Sequence, residues 1–491
     1  MPKSSIYING QWLEVARSEQ SINPGNGSSC GCYSLASETE IADAMLFARK
    51  AFLNWSMTPI SIRSQKLKCV ADEIRKRKED IEVLITTEMG KARSEAAIEA
   101  IETADMVAFL ADHAAIALAG ETYPVDESLF PGKFNYSNYK PLGVVLAIKP
   151  WNYPFELPAW TLAAAIAAGN TVVLKPSEYS PLVAEMLIEC FNSGDFPPGV
   201  INLITGGPNV GKAAIKHCPD CISFTGSMET GKEIASMSIG RPTKLLMELG
   251  GKDPFIVCSD ADLDLASSGA VWGSYTNCGQ VCTSAERIIL VKNIAADFIE
   301  LFVKKTSELR IGYGMSKGID MGPLISLKQM QKVEAHIQDA VKHGGTILHG
   351  GKQLHKHGLA NGFFFEPTII TGVTSNMKVW NKETFGPVAP IMIVDDETAA
   401  LEVANDSDYD LGASIWTRSL ANSFEMTKRI RVGMVWINDV NVAFPAGPWG
   451  GFRKSGTSKE LSYHSLFDYS GFTHISVDFN KDTRRPWWYP Y

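Results

Sequence analysis

The chain has 491 residues, 45% hydrophobic and 20% charged, with a formal net charge of −8 and a pI near 5.7. That length exceeds one ordinary domain of roughly 100 to 200 residues and points to two or three, while the acidic balance offers no basic field to nucleic acid or to an anionic membrane surface. The longest apolar stretch, residues 157–168, falls short of the roughly 20 that a membrane span needs, and the first ten residues carry no apolar signal core, so a cytoplasmic protein is expected.

Residues 6–13 alternate about Asn9-Gly10, a turn pair that favours a tight hairpin. Ser37-Glu38-Thr39-Glu40 reads as a capping box, followed by Ile41, Met45, Ala48 and Phe52 at helical spacing. A longer charged helical tract covers 61–118, with a break near Gly90. From residue 144 short β-rich segments (144–148, 171–174, 200–204, 221–224, 244–249) alternate with helical ones (157–168, 181–191, 210–217, 229–237). This is the pattern of a doubly wound parallel sheet, which binds dinucleotides at the carboxyl ends of its strands. A second alternating α/β region runs over 251–438, and 133–139 and 472–479 alternate without helices between.

Nine cysteines, an odd number in so long a chain, fit reduced thiols and not a disulfide framework. Cys218-Pro-Asp-Cys221 has CxxC spacing, but no second pair or paired histidines accompany it. No metal site is expected, and the two read as small core residues flanking a turn. Cys30 and Cys32, assigned to a Gly/Ser-rich loop (23–31), are read the same way.

Three segments carry chemistry. Cys282 ends Asn277-Cys-Gly-Gln-Val-Cys282, where a Gly-Gln turn can present its thiol; an arbitrary cysteine is more often a buried small hydrophobe. Glu248, thirty-four positions upstream in Met247-Glu-Leu-Gly-Gly-Lys252, interrupts an apolar strand and serves either as a base or as the partner of a lysine. Asn152, in Pro150-Trp-Asn-Tyr-Pro154, either caps a turn or donates to an oxyanion. In this order the three motifs resemble the aldehyde dehydrogenase superfamily, from about Tyr7 to about Ser476.

The resemblance implies an α/β fold with a Rossmann-like cofactor domain (1–122 and 142–250), an α/β catalytic domain (251–455) and a small β oligomerisation extension (123–141 and 456–491). It implies Cys282 as nucleophile, forming a thiohemiacetal and then a thioester. Glu248 becomes the general base, for which a partly desolvated carboxylate has the raised pKa the role favours. Asn152 and the Cys282 N–H become the oxyanion donors.

For the cofactor, Gly206-Gly207-Pro-Asn-Val-Gly211 resembles a phosphate loop without being G-x-G-x-x-G. Phe224-Thr-Gly226-Ser227, with Thr230 and Gly231 just beyond, closes a strand into a helix whose N-terminus can face pyrophosphate through Ser227. Lys175-Pro-Ser177-Glu178 ends the second strand of the sheet, where Lys175 and Glu178 would take the ribose hydroxyls. A carboxylate there repels a 2′-phosphate, so NAD is expected over NADP. Glu383-Thr-Phe385-Gly-Pro387 matches the family segment that holds the nicotinamide ribose and ring, and Ile148, Trp151, Leu249 and Gln329 complete the implied cofactor site.

The expected partner is a small-molecule aldehyde. Tyr153 and Trp160 are seven apart, two helical turns, and would line one tunnel wall, and Trp449, in Pro448-Trp-Gly-Gly451, matches another tunnel position of the family. Betaine aldehyde and aminoaldehyde dehydrogenases look similar there, where aromatic faces attract an ammonium group. Thr276 forms the fourth wall, where that subgroup often has Trp and succinate-semialdehyde enzymes tend to have Arg. Aromatic or general aliphatic aldehydes remain the alternative, with succinate semialdehyde less favoured. Glu99, Glu102 and Asp105 lie at i, i+3 and i+6, forming an acidic rim or, preferably, a solvated helix face. Cys278, four before Cys282, could bridge to it under oxidation if their Cα atoms stand about 4.4 to 6.8 Å apart. The aromatic tail 484–491 is expected to seal an interface of a homodimer or homotetramer.

Overall fold

The computed structural model describes residues 6–355, 358–480 and 488. Strands Ile6–Ile8 and Gln11–Leu13 pair with Tyr7 opposite Trp12. Asn9 and Gly10 between them are both left-handed (φ 52 and 80), as a two-residue type I′ turn requires. The capping box holds too: the Ser37 N–H donates to Glu40 Oε2 at 2.6 Å, and helix Glu38–Trp55 buries Ile41, Met45 and Ala48 while Phe52 stays half-buried.

Between hairpin and helix the chain forms an antiparallel ribbon, Ser18–Ile22 with Ser29–Ser34. Cys30 and Cys32 therefore lie on a strand, half-buried. Cys218 departs from its expected role as well: it is exposed and left-handed (φ 55), whereas Cys221 is buried in a strand. The tract 61–118 makes three helices, Ile60–Lys76, Lys78–Met89 and Arg93–Ala117. Besides Gly90 there is thus a second break at Arg77, whose guanidinium pairs with Glu189 at 2.9 Å and anchors the kink.

Five parallel strands build the first sheet, in the order Lys244–Leu249, Cys221–Gly226, Val144–Ile148, Thr171–Lys175, Ile201–Leu203. The N-terminal hairpin adds two antiparallel strands at its edge. Helices Glu156–Ala168 and Pro181–Asn192 cover one face; Glu38–Trp55, Pro208–Lys216 and Met228–Met237 cover the other. Helix Glu156–Ala168 is buried along its whole length because the N-terminal helices pack over it, which explains its apolar sequence on every side. Each fully buried Val, Leu or Ile in these strands contributes about 1.5–3 kcal/mol.

The second sheet runs Thr346–His349, Thr368–Thr371, Val388–Val394, Arg287–Val291, Pro254–Val257, Gly412–Trp416, Met434–Ile437 and is parallel except at Thr346–His349. Its core is separate from that of the first sheet. Ser470–Asp478 pairs antiparallel with Lys133–Pro141, and Thr122–Tyr123 adds a third strand. Apart from an exposed Trp488, the aromatic tail lies outside the described residues. Among the described residues no helix is long and apolar enough to cross a membrane.

Candidate active site

Helix Leu263–Tyr275 runs into a tight turn, Thr276–Gly279, in which Asn277 (φ 51), Cys278 (φ 58) and Gly279 (φ 68) are left-handed in succession. That conformation costs about 1–2 kcal/mol for each residue bearing a Cβ, so the turn needs outside support. Glu95 supplies it: its Oε1 accepts the Asn277 N–H at 2.7 Å and the Thr276 hydroxyl at 3.0 Å. The Asn277 side chain donates to the Asn152 carbonyl at 2.9 Å. Gln280 donates to the Asn277 carbonyl at 3.0 Å and accepts the Ile325 N–H at 2.9 Å. Glycine is required at 279 on a second count, since a Cβ there would lie 2.3 Å from the Gly386 carbonyl oxygen.

Three residues beyond this turn, Cys282 lines a cavity of about 860 Å³ together with Asn152, Glu248, Trp160 and Trp449. Trp151, Gly226, Ser227, Leu249, Gln329, Glu383 and Phe385 line the same cavity, so both sheets contribute to it. A second cavity, of about 780 Å³, is lined by Ile148, Lys175, Gly211 and Thr230. Ile148, Trp151, Asn152, Lys175, Gly226, Ser227, Glu248 and Leu249 stand at or just past the carboxyl ends of parallel strands of the first sheet, where a doubly wound sheet binds its ligand. Cys278 instead sits in the apolar core of the second sheet, and both thiols are free.

The residues around these cavities fit a dinucleotide. Gly207 precedes helix Pro208–Lys216, and a Cβ there would meet nothing within 4 Å, leaving room for a phosphate against the backbone. Ser227 caps helix Met228–Met237, accepting the Thr230 N–H at 3.2 Å. Phe224 is buried beneath that loop. Lys175 and Glu178 stand 3.7 Å apart at the end of Thr171–Lys175, with Ser177 buried between them. The Gln329 amide is already committed, donating to the carbonyls of Thr384 (3.0 Å) and Phe385 (2.7 Å).

Two of the four expected tunnel residues are not among those lining the main cavity. Tyr153 precedes the helix, which begins at Glu156, so it does not share a helical face with Trp160; instead the Lys91 ammonium lies 3.8 Å from its ring centroid. Thr276 spends its hydroxyl on Glu95. Trp160 and Trp449 do meet, ring centroids 6.1 Å apart and inclined at 65°. Nor do the acidic residues form one solvated face or one rim. Glu99 is fully buried, pairs with Lys91 at 2.6 Å and accepts the N–H groups of Phe155 (2.9 Å) and Glu156 (3.2 Å). Asp105 is exposed and binds Arg75 at 3.0 Å. Glu102, Asp105 and Glu156 line a smaller cavity of about 290 Å³ beside Phe444.

Burial dominates the electrostatics. It pushes the Cys282 thiol up, and the nearby carboxylates Asp253, Glu248 and Glu383 push it further. Burial likewise holds the Glu248 carboxyl well above the usual range; Glu460 adds to this, while Lys459 and a 3.1 Å hydrogen bond from Ser458 oppose it. Glu383 and Glu102 are each pushed up to about 7, again mainly by burial. Lys149 donates to Glu460 at 3.0 Å and to Thr225 at 2.9 Å along the wall beside Glu248.

The two sheets jointly enclose a half-buried cysteine, a buried glutamate and a buried asparagine, and the family that matches the chain is one of oxidoreductases. The chain belongs to the aldehyde dehydrogenase family, whose model matches residues 12–475. It is 35% identical to a chloroplastic aminoaldehyde dehydrogenase of Arabidopsis thaliana, over the whole of this chain and 98% of that protein. A betaine aldehyde dehydrogenase of Bacillus subtilis is 33% identical over 96% of each chain. The crystal structure of betaine aldehyde dehydrogenase from Staphylococcus aureus in complex with NAD+ superposes with a TM-score of 0.94 at 33% identity, covering 99% of this chain and 97% of that one.

Proposed function

We propose that the protein oxidises a cationic aldehyde, betaine aldehyde or an aminoaldehyde, to its carboxylic acid with NAD. In this reading Glu248 takes the proton of the Cys282 thiol, and the thiolate adds to the aldehyde carbon. The Asn152 side-chain amide and the Cys282 N–H receive the oxyanion that forms. Lys175, Glu178, Ser227, Glu383 and Phe385 would hold NAD, which would supply the hydride acceptor needed to oxidise the adduct to a thioester. Glu248, once it has passed the thiol proton on to solvent, takes a proton from water, whose oxygen attacks the thioester carbon, and the acid leaves as the Cys282 thiolate is restored. A thiol whose pKa is raised by burial needs that base, and the base stands in the same cavity. The Glu178 carboxylate beside Lys175 supports NAD over NADP.

The observation that carries the substrate assignment is the pair Trp160 and Trp449, angled over the cavity that holds Cys282. Glu156, one helical turn before Trp160, and Glu102 line a separate smaller cavity where burial raises both carboxyls, so it is the π faces that favour a positive substrate end. The relatives named for betaine aldehyde and aminoaldehydes support the same choice. NADH formation over betaine aldehyde, 4-aminobutyraldehyde, benzaldehyde, propionaldehyde and succinate semialdehyde tests it, with Cys282→Ala as the blank. Preference for the two cationic aldehydes is expected. Preference for benzaldehyde or propionaldehyde would reduce the aromatic pair to an apolar tunnel. The nine-residue edge strand Ser470–Asp478, with Phe472 exposed, supports a homo-oligomer, which light scattering would detect.

A further inference from the structure

The segment 383–387 carries two cavity-lining residues, Glu383 and Phe385, yet belongs to no helix or strand. Phe385 is left-handed (φ 57), a conformation that a residue with a Cβ adopts only under constraint. The constraint is one buried carboxylate. Glu286 accepts the Thr384 N–H at 2.7 Å through Oε2 and the Phe385 N–H at 2.7 Å through Oε1, so successive amides close on it as a nest closes on an anion. The carbonyls of the same two residues are held by Gln329. Glu286 is 1% exposed, and its charge is balanced by Lys252, equally buried, which also donates to the Thr384 hydroxyl at 3.3 Å.

Lys252 lies four residues beyond Glu248, and Glu286 four beyond Cys282. Parallel pairing of Pro254 with Arg287 sets these two segments side by side, which brings lysine and glutamate into contact. The ion pair therefore ties the segments that follow Glu248 and Cys282 to the loop that carries Glu383 and Phe385. That loop in turn presses on both neighbours. A Cβ at Gly250 would sit 2.3 Å from Glu383 Oε1, and one at Gly279 would sit equally close to the Gly386 carbonyl. The Phe385 ring meets Trp151 edge-on at 5.5 Å.

We propose that Glu286 is a positioning residue for cofactor binding, whose carboxylate grips the Thr384 and Phe385 amides and so presents Glu383 and Phe385 to the nicotinamide end of the cavity. The proposal rests on the assignment of those two residues to NAD. Two acceptor oxygens are needed at once. Glutamine offers one acceptor and one donor, and its NH2 group would confront one of the two N–H groups.

The test measures the NAD dissociation constant by quenching of tryptophan fluorescence and, separately, the rate at which iodoacetamide alkylates Cys282 without cofactor. Glu286→Gln is expected to weaken NAD binding about tenfold, as loss of a charge-assisted hydrogen bond would, with alkylation changed less than about twofold. Because that variant leaves Lys252 buried without a counter-charge, Lys252→Met/Glu286→Gln is measured beside it; it should show the same tenfold loss. Phe385→Ala separates the two readings. If it binds NAD as the wild type does, the cofactor assignment of the loop fails. If it weakens NAD while both Glu286 variants bind normally, the positioning role is overturned. Equal losses of NAD binding and alkylation, or a double variant that does not fold, would assign Glu286 to the fold and overturn it as well.

Discussion

The Lys91 ammonium lies 3.8 Å from the centroid of the Tyr153 ring while pairing with Glu99 at 2.6 Å, so one aromatic face near the cavity is already occupied by the chain's own cation. A substrate ammonium is then left to Trp160 and Trp449. Trp160→Ala or Trp449→Ala should raise KM for betaine aldehyde about tenfold, the scale of one desolvated cation–π contact, while Tyr153→Leu should change it less than about threefold. Steady-state kinetics of the three variants decides the matter. A Tyr153 effect equal to the tryptophan effects would restore a three-sided box.

Glu95 supports the left-handed turn ahead of Cys282 through a single oxygen, Oε1, which takes both the Asn277 N–H and the Thr276 hydroxyl; Oε2 accepts the Ala92 N–H at 3.1 Å. Glu95→Gln can keep its carbonyl oxygen toward the turn and should retain most activity. Glu95→Ala leaves three buried donors without this acceptor, two of them in the turn, at about 1–3 kcal/mol each, and the turn should relax. We expect alkylation of Cys282 to slow about tenfold in the alanine variant and about twofold or less in the glutamine one. Equal rates in the two would show that the turn holds itself.

The first parallel sheet was legible because its strands, buried on both faces, read as continuous apolar runs between turn residues. Strand Ser18–Ile22 carries no such signal, because four of its five residues are polar and four of its five side chains face solvent. Asn152, Glu248 and Cys282 could be picked out by motif, but the groups that hold them could not. Glu95 acts on Thr276 from 181 positions away, and a buried glutamate has the same letter as a solvated one. Helical spacing put Glu99, Glu102 and Asp105 within two turns of one another but could not say which of them faced the core. The seven-residue spacing of Tyr153 and Trp160 means two helical turns only if one helix includes both, and this one begins at Glu156.

The raised pKa values of Cys282 and Glu248 set opposite expectations for Glu248→Gln. Without cofactor, alkylation of the wild-type thiol should have its pH midpoint above the ordinary 9.0, because burial and the carboxylates of Asp253, Glu248 and Glu383 all disfavour the thiolate. Removing the Glu248 charge takes away one of those repulsions, so the midpoint should fall. Turnover should nevertheless drop about 100-fold or more, the usual contribution of a general base. A variant with a lowered midpoint and undiminished turnover would remove Glu248 from the base role.

Glu88, at the end of helix Lys78–Met89, is fully buried and accepts the first N–H groups of helix Pro181–Asn192, from Leu182 at 3.0 Å and Val183 at 2.8 Å, as well as the Ser21 hydroxyl at 2.6 Å. Burial pushes its carboxyl up to about 7 from 4.5; Glu185 adds to the rise, and the three hydrogen bonds oppose it. Its neighbour Cys30 is a thiol pushed up to about 12, chiefly by burial, and stays protonated. A carboxyl that binds its proton more tightly in the folded state favours folding at low pH. That contribution is complete below about 4.5 and is withdrawn as pH rises through about 7, a swing of about 3 kcal/mol. Glu88→Gln resembles the protonated acid at every pH. The Tm of the wild type should therefore fall relative to that of the variant between pH 5 and pH 8, and a Tm difference that stays constant or moves the other way would show that the amide hydrogen bonds outweigh the burial of the charge.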